Sequence, residues 1–172
     1  MLEIVFVGRG GQGARTAAQF VAEAAIESGS FVQAFSEFGP ERTGAPVRSF
    51  VRISEKPITV HSLIYSPDVA VVIDPTLIAH FNITEGMEKG STLIVNCPLS
   101  ADEARKETGF KGKVFAVDAT RISMKLLGAN IPNTPMLGAL AKVTGVVAID
   151  AIARQVERKF KKRLAGRRQM PI

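Results

Sequence analysis

Ile4-Val5-Phe6-Val7-Gly8-Arg9-Gly10-Gly11-Gln12-Gly13 is the stretch on which the fold turns. The apolar run Leu2 to Val7, bounded by glycine, reads as a buried parallel strand. Beyond the loop, Ala14, Ala17, Ala18, Val21, Ala24 and Ala25 recur at helical spacing. They predict a helix from about Gln12 to Ser28, stopped by Gly29. Phe31 to Phe35 is the next strand. Together these make a strand–helix–strand unit of the length that a right-handed crossover needs.

The glycine loop has chemistry of its own. Gly8, Gly10 and Gly13 satisfy the three-glycine dinucleotide spacing, in the expected place between strand and helix. Glycines let the backbone turn sharply and approach a ligand, while the unpaired N–H groups at the helix start point at an anion. Arg9 and Arg15 add positive charge there. No Lys-Ser or Lys-Thr follows the last glycine, so the P-loop pattern fails. A tight turn that holds no ligand is the plain alternative. A nicotinamide or flavin site also needs an acid after the second strand for the ribose hydroxyls. Glu37 stands about there, but it leads into a loop dense in proline and charge.

Outward from that unit, Ser36 to Pro46 holds two glycines, two prolines and three charges and is expected to be a loop. Val47 to Ile53 alternates, with Val47, Ser49, Val51 and Ile53 on one side and Arg48, Phe50 and Arg52 on the other. This predicts a strand with one wet face, in a hairpin with Ile58 to Val60. Val69 to Ile73, Leu93 to Asn96 and Val114 to Val117 read as further buried strands. Helices are expected from Asp102, from Thr120 to Leu127 ahead of Gly128, and from Pro135 to about Val143, the last capped by Thr134. The last helix, about 149–166, puts Ile149, Ile152, Val156, Phe160 and Leu164 on one stripe and basic residues elsewhere. Strands alternating with helices imply an α/β fold, a mostly parallel sheet covered on both faces. One domain is expected over residues 1–172.

Composition excludes several function classes. The chain has 172 residues, 46% of them apolar, with a single cysteine, Cys97. It therefore has no internal disulfide, and no Cys/His cluster for zinc or iron–sulfur ligation. The N-terminal apolar run is too short for a membrane span and lacks a basic lead and a cleavage site. The expected location is cytoplasmic. The net charge of +6 is concentrated in the segment from Arg154 to Ile172, which carries about +7 and leaves the body near neutral. With no aromatic platform or nucleic-acid motif beside that segment, neither a nucleic-acid nor a membrane partner is expected.

Other chemistry-bearing residues read more simply. His61 and His80 have no metal-type spacing, and no metal site is expected. Asp74 and Asp118 end strands, where acids serve a site or cap the following helix. Cys97 follows a buried strand with no base to activate it. Asn133 precedes a helix start, where it serves a turn or touches a ligand. No residue is expected to be catalytic by itself.

The segments GRGGQG and EFGPERTGAPV, in this order and separation, resemble the gamma subunit of 2-oxoacid:ferredoxin oxidoreductases, the pyruvate branch first. SPDVAVVIDPTL, Val95-Asn96 at a strand end, VDAT and IPNTPMLGALAKVTG extend the resemblance over nearly the whole chain. Thr43 stands where some relatives have a second arginine. The resemblance implies a Rossmann-like fold. It also implies a subunit of a complex that oxidatively decarboxylates a 2-oxoacid to acyl-CoA and CO2 and reduces ferredoxin. Thiamine diphosphate, Mg and iron–sulfur clusters would lie on partner subunits, a thiamine-binding and a ferredoxin-like one, with no cofactor held covalently here. Coenzyme A would lie at or near this chain, on Gly8, Arg9, Gly10, Gly11, Gln12, Gly13 and Arg15. The loop with Glu37, Pro40, Glu41, Arg42 and Gly44, together with Asn133, would border the partner or the substrate path. A stand-alone NAD(P)- or nucleotide-binding module is the alternative.

Overall fold

The computed structural model describes residues 1–38 and 44–167. In chain order the elements are β1 (Leu2–Arg9), α1 (Ala14–Glu27), β2 (Phe31–Phe38), β3 (Pro46–Ser54), β4 (Val69–Val72) and β5 (Thr92–Asn96). Then come α2 (Ala101–Thr108), β6 (Lys113–Val117), α3 (Ala119–Leu127), α4 (Asn133–Thr144) and α5 (Ile149–Arg167). The six strands form one sheet in the order β2-β3-β1-β4-β5-β6. β1, β4, β5 and β6 pair parallel, while β3 is antiparallel to both β1 and β2. Five strands therefore share one direction, the α/β architecture that alternation predicts. The apolar runs are buried accordingly: all four residues of β4 and the last four of β5 are inaccessible.

Helices cover both faces. On one, Ala17, Val21, Ala24, Met136, Leu137, Leu140 and Ile152 of α1, α4 and α5 close over Ile4, Phe6, Val51, Val71 and Ile94. The alanine-rich face of α1 lets that helix lie close to the sheet. On the other face, Ala104 of α2 and Phe110 pack with Val5, Val7, Phe50, Val72, Leu93 and Val95.

The antiparallel half departs from expectation. β3 lies between β1 and β2, so the strand–helix–strand unit spans a gap that β3 fills. Of the expected wet face of β3, Arg48 is exposed but Phe50 and Arg52 are buried. Phe50 is 2% exposed and stacks on Phe35 at 5.1 Å between centroids. Arg52 is 1% exposed and lies opposite Glu3 on β1 and Gln33 on β2. Its guanidinium donates to Glu3 Oε1 at 2.6 Å, to Gln33 Oε1 at 2.7 Å and to the Leu63 carbonyl at 3.3 Å. A charged residue that alternation assigns to solvent is thus interior because its partners sit directly opposite on both neighbouring strands. Ile58 to Val60 forms no strand, and β1 and β2 are the partners of β3 instead.

Helix boundaries differ in smaller ways. α1 begins at Ala14, because Gly13 is in the left-handed region (φ 85°). α4 begins at Asn133, with Pro132 at the cap, so Thr134 is inside the helix. Gly128 and Gly145 end α3 and α4 in the left-handed conformation that glycine permits. On α5 the buried side chains include Ala151, Ile152 and Gln155, whereas Ile149 is 53% exposed. The side chains of Phe160 and Leu164 lie outside the described residues.

Candidate functional site

Parallel strands place their carboxyl ends on one edge, where ligands of α/β sheets bind. Here that edge gathers Gly8 and Arg9 of β1, Asp74 after β4, Asn96 of β5 and Asp118 after β6. Because β3 runs the other way, its start at Gly44-Ala45-Pro46 lies on the same edge, beside the end of β2. The two sequence motifs meet there. Gly10 N–H donates to the Ala45 carbonyl at 2.8 Å, and Gly44 N–H to the Gly10 carbonyl at 3.4 Å.

Side chains lock this junction. Gln12 accepts from Arg9 N–H at 2.8 Å through Oε1 and donates through Nε2 to Asp74 Oδ2 at 2.6 Å. Asp74 also accepts from Thr76, from its N–H at 2.9 Å and its hydroxyl at 2.6 Å, and pairs with Arg9 Nε at 3.2 Å. Burial pushes the Asp74 carboxyl up. The hydrogen bonds from Thr76 and Gln12 and the Arg9 charge outweigh burial and hold it below its ordinary value. Arg9 further donates to Thr76 Oγ1 at 3.0 Å and to the Gly44 carbonyl at 3.2 Å. Asp74 thus caps the short 3-10 turn Pro75–Leu77 and anchors the glycine loop as well. Asn96 performs the same bracing one strand over, donating to the Ile73 carbonyl at 2.8 Å and accepting from Thr120 N–H at 3.1 Å.

The start of α1 has no side-chain cap. Ala17 N–H reaches the Gly13 carbonyl at 2.8 Å, so the N–H groups of Ala14, Arg15 and Thr16 have no carbonyl within the helix. Arg15 is exposed on that first turn. Asn133 closes the site from α4: it is 6% exposed and donates to the Gly13 carbonyl at 3.4 Å. Its Oδ1 is buried without a partner among the described residues. A Cβ at position 13 would lie 2.3 Å from the Asn133 amide, so glycine is required there twice, for space and for φ.

The sequence-predicted residues divide accordingly. Gly8, Arg9, Gly10, Gly11, Gln12, Gly13, Arg15, Gly44 and Asn133 converge on one edge. Glu37 is exposed at the end of β2, 3.9 Å from Arg48. With β3 wedged in, it stands two strand spacings, roughly 10 Å, from β1, where a dinucleotide fold puts its ribose-binding acid on the adjacent strand. Pro40, Glu41 and Arg42 lie outside the described residues. Thr76 and the bracing by Asn96 were not anticipated; polar residues at successive strand ends are the signal that could have found them.

A cavity of about 910 Å3 opens on the opposite sheet face, floored by Val5, Val7 and Phe50, rimmed by Tyr65, His80 and Phe81, and reaching the same edge at Glu37, Ala45 and Pro46. His61 is exposed, and Asp118 caps α3 through Arg121 N–H at 3.0 Å. Cys97 is buried, and burial pushes its thiol up, away from the reactive thiolate. Among the described residues, no three His, Cys, Asp or Glu side chains gather as a metal site. Among them too, no helix is long and apolar enough to cross a membrane.

Residues 3–168 match the family described as pyruvate ferredoxin/flavodoxin oxidoreductase. Pyruvate synthase subunit PorC of Thermotoga maritima is 50% identical over 161 residues, which cover 94% of this chain and 83% of that protein. The pyruvate/ketoisovalerate oxidoreductases common subunit gamma of Thermococcus kodakarensis is 47% identical, covering 93% and 87%. A crystal structure of the Thermotoga maritima pyruvate oxidoreductase subunit PORC superposes with a TM-score of 0.83 at 47% identity, over 92% of this chain and 84% of that one. The chain therefore belongs to the pyruvate ferredoxin/flavodoxin oxidoreductase family, as a gamma-type subunit of a 2-oxoacid:ferredoxin oxidoreductase.

Proposed function

We propose that this chain holds coenzyme A for a complex that converts a 2-oxoacid, pyruvate above all, to acyl-CoA and CO2 with reduction of ferredoxin. The supporting observation is the uncapped N-terminus of α1 at the ligand edge, with the glycine loop fixed beside it. CoA carries a pyrophosphate and a 3′-phosphate, and unpaired N–H groups at a helix start suit such oxygens. Gly10, Gly11, Gln12 and Gly13 supply the backbone approach, and Gly8 the turn. Arg15, exposed on the first turn, pairs a phosphate. Arg9 has a different role, since Asp74, Thr76 and Gly44 already engage its guanidinium: it positions the loop.

Thiamine diphosphate, magnesium and iron–sulfur clusters belong to the partner subunits in this reading and supply the decarboxylation and electron transfer. This chain binds and orients the thiol-bearing co-substrate as one domain in the cytoplasm, with no cofactor held covalently. Glu37, Pro40, Glu41, Arg42 and Gly44 border the thiamine-bearing partner, and Asn133 backs the glycine loop.

The test is steady-state turnover of the assembled complex. Arg15→Ala should raise the KM for CoA about tenfold or more, the cost of one charge-assisted phosphate contact, with kcat nearly unchanged. Unaltered saturation by CoA in both Arg15→Ala and Gly11→Ala complexes would overturn the assignment. Saturable NAD(P)H binding by the isolated chain would favour a dinucleotide module.

A further inference from the structure

Helix α3 presents an apolar face that the described residues leave uncovered. At about 100° per residue, Ala119 and Ser123 mark the direction facing the body, and both are fully buried. The same arc continues one turn later as Leu126 and Leu127, widened by Ile122 and Met124. There the covering stops: Leu126 is 73% exposed, Met124 51%, Leu127 50% and Ile122 38%. Four large apolar side chains exposed within six residues is a feature of interaction sites.

The face is held in place. Asp118 caps the first turn, and Gly128 ends the helix at φ 65°. Ser123 Oγ donates to the Thr120 carbonyl at 2.9 Å and accepts from Ile131 N–H at 3.2 Å.

We propose that the C-terminal half of α3 seats this chain on another subunit of its complex, in an apolar groove bordered by carboxylates. Charge selects that occupant. Lys125 lies between the side of the helix away from the body and the Ile122 edge of the apolar arc and has no ion-pair partner among the described residues, whereas Arg121 is held by Asp118 at 3.0 Å. A two-fold contact between two copies of α3 would offer Lys125 only basic groups or an Asp118 already paired with Arg121, whereas an acidic rim pairs it. Helix-in-groove docking reads anchors at this i, i+4 spacing, here Ile122 and Leu126. The inference rests on membership in a multi-subunit family and is independent of where CoA binds.

The experiment is co-purification of the co-produced complex carrying Leu126→Gln with Leu127→Gln, and separately Lys125→Glu. Recovery of the double variant in the complex should fall about tenfold or more, with an unchanged Tm for the isolated chain. Lys125→Glu should weaken assembly most at low salt, and amides 122–127 should gain hydrogen-exchange protection in the parent complex. Three outcomes overturn the proposal: normal assembly of the double variant, a lowered Tm showing that the face packs internally, or an isolated parent dimer that the double variant makes monomeric.

Discussion

Gln12 and Asp74 meet at 2.6 Å across 62 residues of sequence, and through them the glycine loop is fixed to the end of β4. The Gln12 amide has one usable orientation. Its oxygen faces the Arg9 N–H, and its nitrogen faces a carboxylate that Thr76 and Arg9 also hold. Loop shape at the edge of the sheet is thus set by hydrogen-bond polarity as much as by glycine.

Gln12→Glu should expose that polarity. Two carboxylates would face each other, and the variant should lose about 1–3 kcal/mol at pH 7. Near pH 4.5 the loss should shrink as one of the pair takes a proton. Urea unfolding at the two pH values checks both parts; an equal loss at each would contradict the account.

Asp74 sets the pH dependence of the same junction. Its carboxyl titrates below the ordinary value in the folded chain. Its contribution is therefore present above the unfolded pKa and lost as pH falls through the folded one. The stability gap between the parent and Asp74→Asn should stay flat from pH 7 to about 5 and close only below about pH 4. A gap that narrows between pH 7 and 5 would show that another group controls it.

Gly11 and Gly13 both have positive φ, 97° and 85°, but only Gly13 also lacks room for a side chain. Gly11→Ala should cost about 1 kcal/mol, and Gly13→Ala about 2–4 kcal/mol. Adding Asn133→Ala to Gly13→Ala should recover part of that, a coupling of about 1 kcal/mol or more in a double-mutant cycle. Additive losses would mean that Asn133 does not crowd the site.

Glu3 neutralises a buried guanidinium. Glu3→Ala should cost about 3 kcal/mol, since Arg52 would stay interior with its charge unpaired. Removing both charges with Glu3→Leu and Arg52→Met should cost less than Glu3→Ala alone. Chemical denaturation of the parent and the two variants orders them.

Glu27 attaches the basic helix to α1. Burial pushes its carboxyl up, but Gln155, Arg158 and Arg154 outweigh this and hold it below the ordinary value. Its contribution to that attachment is therefore present at neutral pH and lost on acidification through the folded pKa. Glu27→Gln should speed hydrogen exchange along α5 from Arg154 onward while leaving β1 unchanged; equal exchange in both proteins would show that the ion pairs do not hold the helix.

Much of this was legible in the chain itself. The runs Leu2 to Val7, Val69 to Ile73 and Leu93 to Asn96 are apolar without alternation because both of their faces are covered, so strand and burial were readable together. The glycine loop was readable because few residues other than glycine tolerate the dihedrals at Gly11 and Gly13. Arg52 was misread, since alternation reports which side a residue faces and not what faces it. Glu37 gave a dinucleotide signal that β3 cancels by separating β2 from β1.

Local rules therefore determined most of the elements, the α/β class and the glycine-rich, uncapped start of α1, because each depends on residues within a turn or two of one another. Only tertiary structure decided what those elements meet. The reversal of β3 brings Gly44 and Ala45 to the glycine loop, Asp74 and Thr76 engage the Arg9 guanidinium, and the apolar arc of α3 runs past the body that should bury it. Each depends on partners tens of residues away, whose approach is fixed by the order of strands in the sheet and by no pattern within a single segment.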